Sequence, residues 1–281
     1  MYNNSIVTKY PELAAEIISK RTSNFKPKIA IILGSGLGRV AQKIKQSAVI
    51  PYDDLPYFSV SRIEGHGGNL HIGMLNNIPV VCLEGRTHTY EGGNALEVIK
   101  NIVYTLKLIG CETLFTTNAV GSLNKDVGVG RLVLIKDHIN FMFSNNILLG
   151  PNNDKFGDRF VSMDNVYNSE LRQKILAVAK KHQIPLGEGI YLGTSGPTFE
   201  THAEIRAFKI LGADIIGMST IPEVIAARHC GMKVISLSAV TNLAAGLSDE
   251  TLTHEGTLKG AALAIENMAN LILNSIQEIA K

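Results

Sequence analysis

Ile29-Ala30-Ile31-Ile32-Leu33-Gly34-Ser35-Gly36-Leu37-Gly38 is a short β-rich apolar run that passes directly into a glycine-punctuated turn. The same design recurs along the chain. Further β-rich runs occupy 80–83, 113–117, 132–135, 215–216 and 234–239. Helical patterns separate several of them. One covers 94–109, with Asn94 as N-cap, Glu97 three residues later and Gly110 as a stop. Others cover 169–182, 201–211, 221–230 and 253–279. This alternation predicts an α/β fold: a single domain over 1–281, with a central mixed, mostly parallel twisted sheet flanked by helices. The stretch 140–158 is rich in Asn, Gly and Asp and is expected to be irregular, as functional or mobile segments are.

Composition narrows the function classes. With 281 residues and 45% hydrophobic content the chain can bury a large core. A net charge of +2 and a pI of about 8.3 are too mild for an electrostatic nucleic-acid binder, and no basic block appears. No apolar run approaches the ~20 residues that span a bilayer, and the N-terminus lacks the basic-then-apolar order of a signal peptide. Cys82, Cys111 and Cys230 are far apart in apolar surroundings, as reduced structural thiols are. The expectation is a soluble cytoplasmic protein without nucleic-acid or membrane partners.

The strand endings carry the chemistry. Val80-Val81-Cys82-Leu83 runs into Glu84-Gly85-Arg86-Thr87-His88-Thr89-Tyr90-Glu91-Gly92. Thr113–Thr117 runs into Asn118-Ala119-Val120-Gly121-Ser122, and Ile215-Ile216 into Gly217-Met218-Ser219-Thr220. The run at 234–239 ends at Val240-Thr241-Asn242. In parallel α/β sheets ligands bind beyond the carboxyl ends of the strands, so these endings converge on a site. Ser35, between glycines, lets backbone N–H groups and a hydroxyl approach a phosphate. Arg86 can grip the same anion through two N–H groups, His66 and His88 can add donors, and Ser219 precedes a helix N-terminus. In Gly196-Pro197-Thr198-Phe199-Glu200-Thr201-His202-Ala203-Glu204-Ile205-Arg206, a turn leads into a helix start with Thr201 and Glu204 spaced as a capping box. Just before it, Phe199 offers a flat apolar face and Glu200 two acceptors for a ring N–H.

Other chemistries fit poorly. A dinucleotide fold wants G-x-G-x-x-G, but Arg39 stands at the third glycine's place, and Asp53 and Asp54 follow Pro51-Tyr52 rather than a β-rich run. No G-K-[ST] follows the glycines. The eight histidines form no H-E-x-x-H and no zinc-spaced cluster, and G-x-S-x-G is absent. His138, His182 and His229 are expected to be ordinary surface or core histidines.

Taken together and in order, the 34–38 glycine run, 84–92, Thr117-Asn118-Ala119-Val120-Gly121-Ser122-Leu123-Asn124, 196–206, 217–220 and Thr241-Asn242 closely resemble the trimeric, 6-oxopurine-preferring purine nucleoside phosphorylases. The resemblance covers about residues 10 to 280. It implies reversible phosphorolysis of a purine nucleoside to free base and (deoxy)ribose 1-phosphate, with inorganic phosphate as co-substrate and no cofactor or metal. It assigns phosphate to Ser35, His66, Arg86, His88, Ala119 and Ser219, with Ala119 acting through its backbone N–H. Ribose falls to Tyr90, Met218 and His254, and the base to Gly121, Phe199, Glu200, Ile216 and Asn242. Asn242 would donate to N7 and O6 of the ring, Glu200 would accept from N1–H, and Glu91 would position His88. Phe160 matches an aromatic lent to the neighbouring subunit's ribose site, which implies a homotrimer. Ser122 departs from the relatives' second glycine, with a consequence expected for local loop shape only. A methylthioadenosine phosphorylase would favour an acid at 242 and an apolar residue at 254. A nucleoside sensor would have no need of intact Arg86, His88, Glu200 and Asn242.

Overall fold

A computed structural model of the chain describes residues 9–34, 36–59, 67–142, 146–248 and 253–281. Strands β1 (Ile29–Leu33), β2 (Lys45–Pro51), β3 (Asn69–Leu75), β4 (Ile78–Glu84), β5 (Thr113–Ser122), β6 (Leu132–Asn140), β7 (Leu186–Gly193), β8 (Ile215–Gly217) and β9 (Lys233–Leu243) form one sheet. The helices are α1 (Tyr10–Arg21), α2 (Gly38–Ala41), α3 (Ala95–Ile109), α4 (Ser169–Lys181), α5 (His202–Ile210), α6 (Ile221–His229) and α7 (His254–Ile279). Strand order is β2-β3-β4-β1-β5-β8-β7-β6-β9, and β9 pairs again with β5. Five strands, β5, β8, β7, β6 and β9, therefore close into a ring, and β1, β4, β3 and β2 extend from β5 as an open wing. The expected mixture of pairings holds. β1 is parallel to β4 and β5, and β9 to β5, while β2–β3, β3–β4, β5–β8 and β6–β9 are antiparallel.

The period of two along β1 explains the layers. Ala30 and Ile32 face a core shared with α1, α3 and α6, while Ile29, Ile31 and Leu33 face a second core under α2, α4 and α7. A smaller third cluster joins Leu123, Leu192 and Ile216 to Ile205 and Phe208 of α5. All three cysteines are buried and unpaired, and burial pushes their thiols up, Cys230 to about 12. Among the described residues no helix is long and apolar enough to cross a membrane.

Several local expectations shift. α3 does end at Gly110, left-handed at φ 119°, and Cys111 N–H closes the cap on Leu106 O at 3.0 Å. Asn94 occupies its N-cap position, yet its side chain caps nothing and Glu97 accepts from Lys100 instead at 2.7 Å. The capping box at Thr201 and Glu204 is complete. A strand does precede Asp53 and Asp54, namely β2. It lies at the sheet edge, antiparallel to β3, and Asp54 pairs with Arg21, so no dinucleotide crevice forms there. Ser122 lies inside β5 rather than in a loop. Its buried hydroxyl donates to Asn124 O at 2.8 Å.

Candidate functional site

β5 is the spine of the site. Of its ten residues only Ala119 is exposed, with buried neighbours on both sides. An exposed position inside a central strand means that the sheet opens onto a cleft there.

At the near end of that cleft Arg86, 5% exposed, gathers β5 and the β8–α6 junction. Its Nη1 donates to Ser219 Oγ at 3.3 Å, Thr220 Oγ1 at 3.2 Å and Glu223 Oε2 at 3.3 Å. Its Nη2 donates to Thr116 Oγ1 at 3.0 Å and to Thr117 O. The junction itself is tightly bent. Thr220 has φ 71° and ψ −53°, and Ile221 N–H bonds Ser219 O at 2.8 Å, a γ-turn that β-branched residues rarely adopt. Two side chains hold it there. Asn118 Nδ2 donates to Thr220 Oγ1 at 2.7 Å, and the buried Tyr191 hydroxyl donates to Ser219 O at 3.1 Å while accepting from Ser219 N–H at 3.2 Å. Ser219 thus stands one residue before Thr220, the N-cap of α6, where a helix terminus favours an anion.

Next along the cleft comes the Thr89–Glu91 turn. Glu91 Oε1 accepts from the His88 backbone N–H at 2.7 Å and lies 3.2 Å from His88 Nδ1. The His88 ring stacks on Tyr90 with centroids 4.8 Å apart. A methyl group added to Gly196 would fall 2.5 Å from Met218 Sδ and 3.1 Å from Tyr90 Cδ1, so these three residues meet. Such an aromatic and thioether strip is an apolar wall beside the polar end.

The far end brings Gly121, Ile216 and Asn242 together. A methyl on Gly121 would lie 3.1 Å from Asn242 Nδ2 and 3.3 Å from Ile216 Cγ2. Between Val120 and Gly121 the β5–β9 register slips by one residue, leaving Thr241 as a bulge. The Thr241 hydroxyl donates to Asn242 Oδ1 at 2.8 Å, and Asn242 Nδ2 donates to Leu243 O at 3.0 Å. One amide N–H is therefore already used, and one remains for a ligand, not the two expected. Ahead of α5, Glu200 Oε1 accepts from Thr194 Oγ1 at 2.9 Å, and burial raises its carboxyl above the ordinary range. Phe199 is 40% exposed.

Ser35 and His66 lie outside the described residues, as does the side chain of His254, whose backbone opens α7. Phe160 is the outlier. It is 90% exposed, on a segment whose Gly157 packs against the His229 carbonyl. Sequence reading missed Glu223, Thr220, Thr116 and Thr194. Only the position of Glu223 in the first turn of a helix after Ser219 gave a signal. Among the described residues no group of three or more His, Cys, Asp or Glu is placed to hold a metal ion.

Comparison with known proteins finds relatives along nearly the whole chain. The model of the phosphorylase superfamily matches residues 28–277. The chain is 42% identical over 248 residues to purine nucleoside phosphorylase 1 of Bacillus subtilis, covering 88% of this chain and 90% of that one. A Schistosoma purine nucleoside phosphorylase in complex with hypoxanthine superposes with a TM-score of 0.91 at 38% identity, over 96% of this chain and 97% of that one. The Schistosoma mansoni structure in complex with adenosine gives 0.90 at 38% identity, with the same coverage. The chain thus belongs to the phosphorylase superfamily and, within it, to the purine nucleoside phosphorylases.

Proposed function

We propose that the chain catalyses, in the cytoplasm, the reversible phosphorolysis of 6-oxopurine (deoxy)nucleosides such as inosine and guanosine, serving purine salvage. The observation that carries this reading is the continuity of β5 from one end of the cleft to the other. Thr116 and Thr117 touch Arg86, and Gly121 touches Asn242. Gly121 lies four residues beyond Thr117 along the strand, about 13 Å, room for a phosphate and a nucleoside end to end.

Phosphate lies under the sugar, held by Arg86, His88, Ser219 and the Ala119 N–H, with Ser35 and His66 completing the cradle. It attacks C1′ as the bond to N9 breaks and the electron pair passes to the purine. Positive charge on the sugar is offset by the anion below it. The remaining Asn242 N–H meets the charge growing on the ring and is stronger in the transition state than in the ground state. Glu200 accepts from N1–H. Tyr90, Met218 and His254 line the ribose, and Glu91 holds the His88 ring. Inorganic phosphate is the co-substrate, and the reaction calls for no metal or organic cofactor. Phe160 reaches the ribose site of a neighbouring copy in a homotrimer, a role that suits its exposure.

One related structure holds adenosine, so the test is made on turnover rather than on binding. The test is conversion of inosine and adenosine with and without inorganic phosphate, with product analysis. Phosphate-dependent release of hypoxanthine, with adenosine much slower, is the expected result. Release without phosphate would make the protein a hydrolase, and equal rates on both nucleosides would remove the 6-oxopurine preference.

A further inference from the structure

The Arg86 guanidinium is engaged by protein acceptors, with Ser219, Thr220 and Glu223 on Nη1 and Thr116 and Thr117 on Nη2. Nη1 is shared among three oxygens at 3.2–3.3 Å, all long for a charge-assisted bond, and one of them is the carboxylate of Glu223. Both members of this ion pair are almost fully buried, with side chains 4% and 5% exposed. Neither acceptor hydroxyl on Nη1 carries a charge, so among these partners Glu223 is the counter-ion. Beside the pair is a cavity of about 10 Å³, walled by Ile32, Leu83, Ile99 and Ile102 on its apolar side. That is about the lower limit for a single water, so only a small void lies beside the pair.

We infer that Glu223 is a positioning residue that acts as resident counter-ion to Arg86, competing with phosphate for the guanidinium and so setting the enzyme's affinity for the anion. The inference rests on the reading of Arg86 as a phosphate ligand. Its logic is electrostatic. A buried guanidinium without a partner is costly, so an empty site needs an internal anion. Once a phosphate dianion arrives, the same carboxylate repels it and takes a share of the donors it needs. Weaker binding is the consequence, and so is faster escape of the phosphorylated sugar.

The series wild type, Glu223→Asp, Glu223→Gln tests this. The amide keeps the shape and an oxygen acceptor while removing the charge, and the shorter acid draws the charge back from Nη1. The KM for phosphate is expected to fall along the series, by about three- to tenfold for Glu223→Gln, the scale of one partly screened charge acting on another nearby. The nucleoside KM is expected to stay constant, kcat to fall, and sulfate to become a better competitive inhibitor. A merely structural role would loosen the site and raise the KM for phosphate. Phosphate should also raise the melting temperature of Glu223→Gln by more than that of wild type. If Glu223→Gln does not fold, the Glu223→Asp KM decides: a fall supports the inference, and a rise or no change overturns it. Wild-type turnover independent of phosphate would instead sink the reading of the site itself. Phosphate-dependent wild type with a flat or reversed series would leave that reading intact and remove only the role of Glu223.

Discussion

Asn242→Asp is the sharpest test of base recognition, because the surroundings of the amide determine where the change lands. The Thr241 hydroxyl holds Oδ1 at 2.8 Å, so the new oxygen replaces Nδ2. That atom lies 3.0 Å from Leu243 O, and substitution turns a hydrogen bond into two acceptors facing each other. The free N–H that meets a 6-oxopurine is lost at the same stroke. Losing a donor to a buried acceptor costs about 1.5–3 kcal/mol, roughly 10- to 150-fold in kcat/KM for inosine. Adenosine gains instead, since its 6-amino group can donate to the carboxylate. The gain is limited to roughly 3- to 10-fold, because the adenine N1 acceptor still faces Glu200. The assay is kcat/KM for both nucleosides at saturating phosphate, followed by absorbance and checked by product separation. The inosine-to-adenosine ratio should fall by roughly 30- to 1,500-fold. Equal losses on both substrates would refute the reasoning and leave Asn242 a brace for the β9 bulge.

Burial raises the Glu200 carboxyl, so it protonates, and stops accepting from N1–H, at a higher pH than an ordinary glutamate. Inosine turnover should therefore decline on the acid side while adenosine, whose N1 can accept the new proton, declines less; identical acid limbs for the two would exclude this role. Phe160→Ala should raise the nucleoside KM with little change in the KM for phosphate, and a fully active monomer by size-exclusion chromatography would remove the shared-site idea. Gly157→Ala places a methyl 2.0 Å from the His229 carbonyl oxygen, so backbone has to move. A loss of about 1–3 kcal/mol in unfolding free energy is expected, and an unchanged melting curve would show that the segment is not clamped there.

The central strands and helices were legible because their signals are local. Runs such as Ile29–Leu33 and the α3 pattern with Gly110 declare themselves over a few residues. Elements that depend on tertiary pairing were not. β7 has glycines at 187, 189 and 193, β3 contains a histidine and a glycine, and β2 begins with Lys-Gln-Ser and ends in proline. Each is a strand because neighbours supply its hydrogen bonds. In the site, Arg86 and Asn242 at the strand endings and Glu91 beside His88 were readable, but most of the groups that hold Arg86 in place were not. Thr220 and Thr116 look like turn and strand residues until Arg86 is seen between them. Tyr191 likewise looks like an ordinary strand residue until its hydroxyl is seen to bracket the backbone of Ser219.

The one-residue slip at Thr241 separates β9 into two phases. Upstream, alternation is answerable to the two cores; downstream, the side chain at 242 is aimed without reference to them. Pocket chemistry can consequently drift by substitution at 242 while the packing of Val234 to Val240 stays untouched. Deleting a single residue at the slip would rejoin the phases and turn the amide away from Gly121. Variation by replacement is thus open to this strand, and variation by length is closed.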